Sequence, residues 1–120
     1  MTIMTTERQP EGIWAPALTL RLEPELADRL RDFCYQRRLK KQPVLRLALQ
    51  RFLKATGKKR AAMLERLRIM PIVPLEAKEK LVLERDEFQA LRRFVFDHNT
   101  YKQHVVRVAL IDYLDSQPKP

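Results

Sequence analysis

Residues 18–30 read LTLRLEPELADRL. Leu18, Leu20 and Leu22 alternate with Thr19 and Arg21, the period of a strand with one apolar face, and Leu26, Leu30 and Phe33 then recur at helical spacing. A lone strand leaves its backbone N–H and C=O groups unpaired, so this one requires a partner.

A second strand of the same kind lies further along the chain. Laid without a gap over residues 79–114, at an offset of 61, residues 18–53 show 13 identities in 36 positions, where average residue usage predicts about two or three. Leu20, Leu22, Glu23, Leu30, Arg31 and Phe33 fall on Leu81, Leu83, Glu84, Leu91, Arg92 and Phe94. Lys41, Gln42, Val44, Arg46, Ala48, Leu49 and Leu53 fall on Lys102, Gln103, Val105, Arg107, Ala109, Leu110 and Leu114. Such self-similarity is an internal repeat.

Each copy reads strand, helix, turn, helix. The second helices, near 42–54 and 103–115, carry Val44, Leu45, Ala48, Leu49 and Phe52, and likewise Val105, Val106, Ala109, Leu110 and Tyr113, on one face. Two copies supply two strands, which pair antiparallel with Leu20 and Leu81 expected as partners on the inner side. The expected class is mainly α with a short two-stranded β-ribbon, a β-α-α unit repeated twice. Residues 1–16 read as an arm with Trp14 against a core edge, 17–54 as the first copy, 55–78 as a linker, 79–115 as the second copy and 116–120 as a tail. In the linker, KKRAAMLERLRI is compatible with one short helix, Gly57 is placed to end the helix before it, and Pro71 and Pro74 stop it. Whether the copies pair within one chain or across two chains of a homo-oligomer is left open.

At 120 residues with 45% apolar content, the chain can bury one core. One cysteine, Cys34, makes no internal disulfide and fits a reducing compartment. No apolar run reaches the length of a signal peptide or a membrane span, so the expected location is the cytoplasm, at the nucleoid. The net charge is +9, and such a balance suits a polyanion whose condensed counterions Lys and Arg displace. Residues 18–54 hold 10 Lys and Arg against 4 Asp and Glu, whereas residues 79–115 hold 6 against 7. The first copy and the linker, with Lys58, Lys59 and Arg60, are therefore the expected phosphate-facing surface.

LTLRLEPELADRL with VLRLALQRFL, and KLVLERDEFQAL with VVRVALIDYL, resemble the strand-to-helix and second-helix segments of the ribbon-helix-helix family of DNA-binding proteins. Two copies in one chain resemble its tandem, TraY-like plasmid-transfer members. The resemblance implies a ribbon in the major groove of double-stranded DNA, with base edges read by Thr19, Arg21, Lys80 and Val82. It also implies phosphate anchoring at the N-termini of the second helices, by Lys40, Lys41 and Gln42 and by Lys102 and Gln103. The family's turn glycine is absent from the first copy, which reads RRLKKQP, and Thr100 offers a cap in the second.

No catalytic constellation is evident. Gly12 and Gly57 are far apart and form no phosphate-cradling loop. His98 and His104 do not share a helical face, and with one cysteine they make no zinc set. His104, at a helix start, reads as solvated or touching phosphate. The expectation is a non-enzyme without cofactor, metal, membrane or small-molecule substrate. It is a sequence-specific transcriptional regulator, with a DNA-transfer accessory protein or a toxin-binding antitoxin as alternatives. Antitoxins of this fold use an extended tail, and only five residues follow the last expected helix.

Overall fold

A computed structural model describes residues 13–71 and 73–118; most of the expected arm and the end of the tail lie outside them. The elements run β1 (Leu18–Leu22), α1 (Pro24–Arg37), α2 (Lys41–Lys54), α3 (Gly57–Ile69), β2 (Ala77–Leu81), α4 (Arg85–Asp97) and α5 (Lys102–Ser116). Three helices, not two, follow the first strand. The linker helix α3 is as long as α4, so the order is not a bare β-α-α repeated twice.

β1 and β2 pair antiparallel, with Leu18 opposite Leu81, Thr19 opposite Lys80, Leu20 opposite Glu79, Arg21 opposite Lys78 and Leu22 opposite Ala77. Both strands therefore come from one chain. Leu20 and Leu81 share the inner face but are diagonal neighbours, because Leu81 pairs with Leu18 and Leu20 with Glu79. β2 also starts at Ala77, inside the expected linker. Beyond the ladder, Trp14 bridges to Glu84 and the Ala15 N–H donates to the Leu83 carbonyl at 2.9 Å. Between these contacts and Leu18–Leu81 the first strand has one residue more than the second. Pro16, which has no N–H to contribute, sits in that bulge.

Leu20, Leu22, Leu81 and Leu83 are all at most 2% exposed and form the lid of the core. Beneath them α2 buries Val44, Leu45, Ala48, Leu49 and Phe52 against α5. α5 is buried almost all round, from Val105 through Leu110 without a break. The cause is α3, whose Met63 and Leu67 are buried. His104 and Asp112 of α5 both touch α3 or its end, and Val108 lies on the same helical row between them. Val108 is fully buried, while Leu47, the matching position of α2, is 43% exposed. The third helix thus makes the two halves unequal.

Each of α1 and α4 ends in a left-handed residue, Arg38 at φ 56° and Asn99 at φ 51°. The following N–H closes the helix in the manner of a Schellman turn, Leu39 to the Cys34 carbonyl at 2.9 Å and Thr100 to the Val95 carbonyl at 3.1 Å. Thr100 is therefore part of the turn, and the N-cap of α5 is Tyr101. Gly57 does not end α2. It opens α3 at φ 62°. Asn tolerates the left-handed region, but a long side chain there costs about 1–2 kcal/mol. Allowing for the entropy of a glycine in the unfolded chain, Arg38→Gly should raise stability by about 0.5–1 kcal/mol. Urea midpoints will check this; a lower midpoint would show that the Arg38 side chain contributes more than its backbone loses.

Candidate nucleic-acid interface

Alternation along the two strands sends Thr19, Arg21, Lys78 and Lys80 to solvent. Arg21 and Lys78 stand directly opposite each other, and Lys80 lies opposite Thr19. Like charges in cross-strand positions destabilise a sheet. Among the described residues none of the three cations has an acidic partner. The acid of β2, Glu79, lies on the inner side. The outer face is thus a small platform of unneutralised positive charge.

The ribbon is held from below at both ends. Gln103 Oε1 accepts the Arg21 N–H at 2.7 Å, and Gln42 Oε1 accepts the Val82 N–H at 2.9 Å. Each glutamine opens one of the two central helices, α2 or α5, and satisfies an edge N–H of the strand from the other half of the chain.

Three of the four expected base-reading residues, Thr19, Arg21 and Lys80, share this outer face. Val82 does not belong to the ladder. It follows β2, is half-buried, and lines a hollow with Trp14, Gln42, Pro43 and Arg46. Lys78 completes the face and was not among the expected residues, because the strand was expected to start after it. The alternation Lys78–Glu79–Lys80–Leu81 was the available signal.

The expected phosphate set is dispersed. Lys40 is exposed at the α2 N-cap. Lys41 is 41% exposed and pairs with an acid of β2, its Nζ 3.0 Å from Glu79 Oε2. The amide oxygens of Gln42 and Gln103 are occupied by the strands, and Lys102 rests 5.7 Å over the Phe88 ring. Lys59 reaches Asp112 at 3.5 Å, about 13 Å along α5 from Gln103. Arg60 lies 5.6 Å over the Phe94 ring, and Lys58 is exposed beside it at the start of α3. The linker cations therefore sit away from the ribbon end of the molecule. Their charge was legible, but their side of the fold was not.

Under the ribbon lie two arginine clusters at matching positions. Arg107 is 2% exposed and meets Glu23 with Nε–Oε1 at 2.8 Å and NH2–Oε2 at 3.0 Å. Its NH1 also donates to His104 Nδ1 at 2.9 Å, while His104 Nε2 donates to the Leu67 carbonyl at 2.8 Å. A carbonyl only accepts and a guanidinium only donates, so this pair of contacts requires neutral His104 with its proton on Nε2. His104 is thus a structural link to α3, not a phosphate contact. Arg46, 61 residues before Arg107, grips Glu87 with two hydrogen bonds at 3.1 and 2.9 Å and lies 3.7 Å from Glu84. Arg46 also stands 5.3 Å over the Trp14 ring, which holds Trp14 to the edge of the fold as expected.

The Arg107 hydrogen bonds, against the opposing effect of burial, hold the Glu23 carboxyl below its usual 4.5. Burial alone would raise Glu87, but hydrogen bonds from Arg46, Gln50 and the Glu84 N–H outweigh it and lower the carboxyl. A carboxylate whose pKa is depressed on folding stabilises the protein above its unfolded value and loses that contribution as pH falls through the folded value. The part of the stability that these two carboxylates supply should therefore be fully present above about pH 4.5, close to the unfolded carboxyl pKa, and be lost as pH falls below it. Glu23→Gln should flatten part of that acid limb. Urea titrations of both proteins across pH 3–7 check it, and parallel acid limbs would remove Glu23 from the account.

Burial pushes the Cys34 thiol up, which suits a core side chain. No helix among the described residues is long and apolar enough to cross a membrane. Comparison with protein-family models, with curated proteins and with solved structures finds no match to this chain.

Proposed function

We propose that this protein is a sequence-specific double-stranded DNA-binding regulator of transcription, with the β1–β2 ribbon as its reading head. The observation that carries the reading is the outer face. Arg21, Lys78 and Lys80 crowd together with no acidic partner among the described residues, on a ribbon fixed by four buried leucines and two glutamine hydrogen bonds. That arrangement costs stability unless an anion meets it. Strands about 4.8 Å apart fit a major groove about 12 Å wide, where Arg and Lys donate to guanine O6 and N7 and Thr bonds several base edges.

Several correspondences at an offset of 61 support two copies of a ribbon-helix-helix unit in one chain, with α3 inserted between them. α1 and α4 begin at Pro24 and Arg85, and α2 and α5 at Lys41 and Lys102. The left-handed residues are Arg38 and Asn99. The glutamine contacts and the arginine–glutamate contacts are exchanged between the halves in the same way. One pair of the ladder joins Thr19 to Lys80, its own counterpart at that offset, as a pseudo-two-fold axis through the ribbon demands.

Arg21→Ala should weaken binding to a specific site by about 1–3 kcal/mol and binding to random duplex much less. Lys40→Ala, at the exposed start of α2, should weaken both alike and lower the slope of log affinity against log salt by about one unit. Fluorescence anisotropy on both duplexes over a salt series measures this. Equal ratios for the two variants would place the reading face elsewhere.

A further inference from the structure

The outer face of the ribbon is polarised from end to end. A ribbon made of two identical strands repeats the same residues on either side of its axis. Here one end carries Arg21 opposite Lys78. At the other end, past the last ladder pair Leu18–Leu81, the counterparts of Lys78 and Arg21 are exposed Ala17 and half-buried Val82, which lies outside the paired face. Neither brings a hydrogen-bond donor to a base edge, and Val82 adjoins Trp14 and Pro43 in an apolar hollow of about 340 Å³.

The supports beneath are unequal in the opposite sense. Gln42 touches Val82, so the start of α2, with exposed Lys40, lies at the uncharged end. Gln103 touches the Arg21 N–H, so the start of α5, with exposed Tyr101, lies at the cationic end. Base-directed cations therefore gather at one end, and Lys40, a helix-start cation with no acidic partner among the described residues, stands at the other.

We infer that one chain recognises a non-palindromic element in a fixed orientation, with guanine read at the Arg21–Lys78 end and thymine methyl groups met at the Ala17–Val82 end. This rests on the DNA reading above. Guanine offers two acceptors to Arg and Lys, and thymine alone offers a methyl group in the major groove. Lys80, on the axis opposite Thr19, reads the middle. The ligand is duplex DNA with a G·C-bearing flank and an A·T-bearing flank.

Selection of full-length protein against random duplex, followed by sequencing, tests it. A core with guanine preference at one end only, and no two-fold symmetry, is the expected outcome. Arg21→Ala combined with Lys78→Ala, both exposed and so compatible with folding, should reduce discrimination about 10- to 100-fold at the guanine end and leave the other end unchanged. Val82→Arg combined with Ala17→Lys should bring guanine to the second end and move the selected core towards a palindrome. A palindromic core from the natural protein, or equal loss at both ends in the Arg21–Lys78 variant, overturns the inference while leaving DNA binding in place. No enrichment of any duplex at low salt overturns the DNA reading and this inference with it.

Discussion

Arg107→Ala should destabilise the protein by about 3–5 kcal/mol, the cost of leaving a shielded charge without its partner. Glu23 would lose both guanidinium hydrogen bonds, His104 Nδ1 its donor, and the Pro71 carbonyl a contact at 3.4 Å. Against a total of about 5–15 kcal/mol for a domain of this size, that is a large fraction. The matching Arg46→Ala should cost less, because the Arg46 side chain is 27% exposed where that of Arg107 is 2%, and water partly screens what the protein gives up although its main partner Glu87 is largely shielded. Replacing both partners, Arg107→Met with Glu23→Leu, should recover much of the loss, since apolar residues of similar volume pack without desolvation cost. Urea denaturation of the four proteins decides it. An Arg107→Ala cost below that of Arg46→Ala would mean that the buried cluster is not what joins β1, α5 and the end of α3.

Leu20→Ala and Leu81→Ala should each cost about 2–5 kcal/mol, the range for a fully buried leucine whose neighbours cannot close the space. Both lie under the ribbon at no more than 2% exposure. Thr19→Ala, one residue away on the outer face, should change stability by only a few tenths of a kcal/mol. Thermal melts that rank Thr19→Ala beside Leu20→Ala would reverse the two faces of the ribbon and remove Arg21 and Lys80 from any groove.

The legible part of this fold is the part set by local periodicity. Leucine alternation at 18–22 places β1 and its buried face, and the spacing of Val44, Ala48 and Leu49 places α2. The second helices begin one residue earlier than their apolar pattern suggested, at Lys41 and Lys102. β2 was harder to bound, because Ala77 and Glu79 occupy inner positions where leucines stand in β1. An acid on the inner face breaks the apolar signal, and Lys41, brought from α2, pairs with it. That pairing, which joins Lys41 to an acid of β2, was not legible in the sequence. α3 carried too weak an apolar stripe to reveal that it would enclose α5, yet VVRVALI in α5 is apolar on nearly every side, the pattern of a helix covered all round. The two glutamines could not be assigned from sequence, since their partners are N–H groups of strands in the other half of the chain.

The covalent path from β1 through α3 to β2 has a consequence for how little of this protein suffices. A head assembled from two separate polypeptides dissolves as its supply is diluted, and the population able to act then falls with the square of the amount present. Here the second strand accompanies the first at a local concentration fixed by the connecting chain. The folded head is present at any abundance, and its melting temperature should not vary with the amount of protein in the cell. On the DNA reading proposed above, saturation of a single site by single chains should then follow a simple hyperbola.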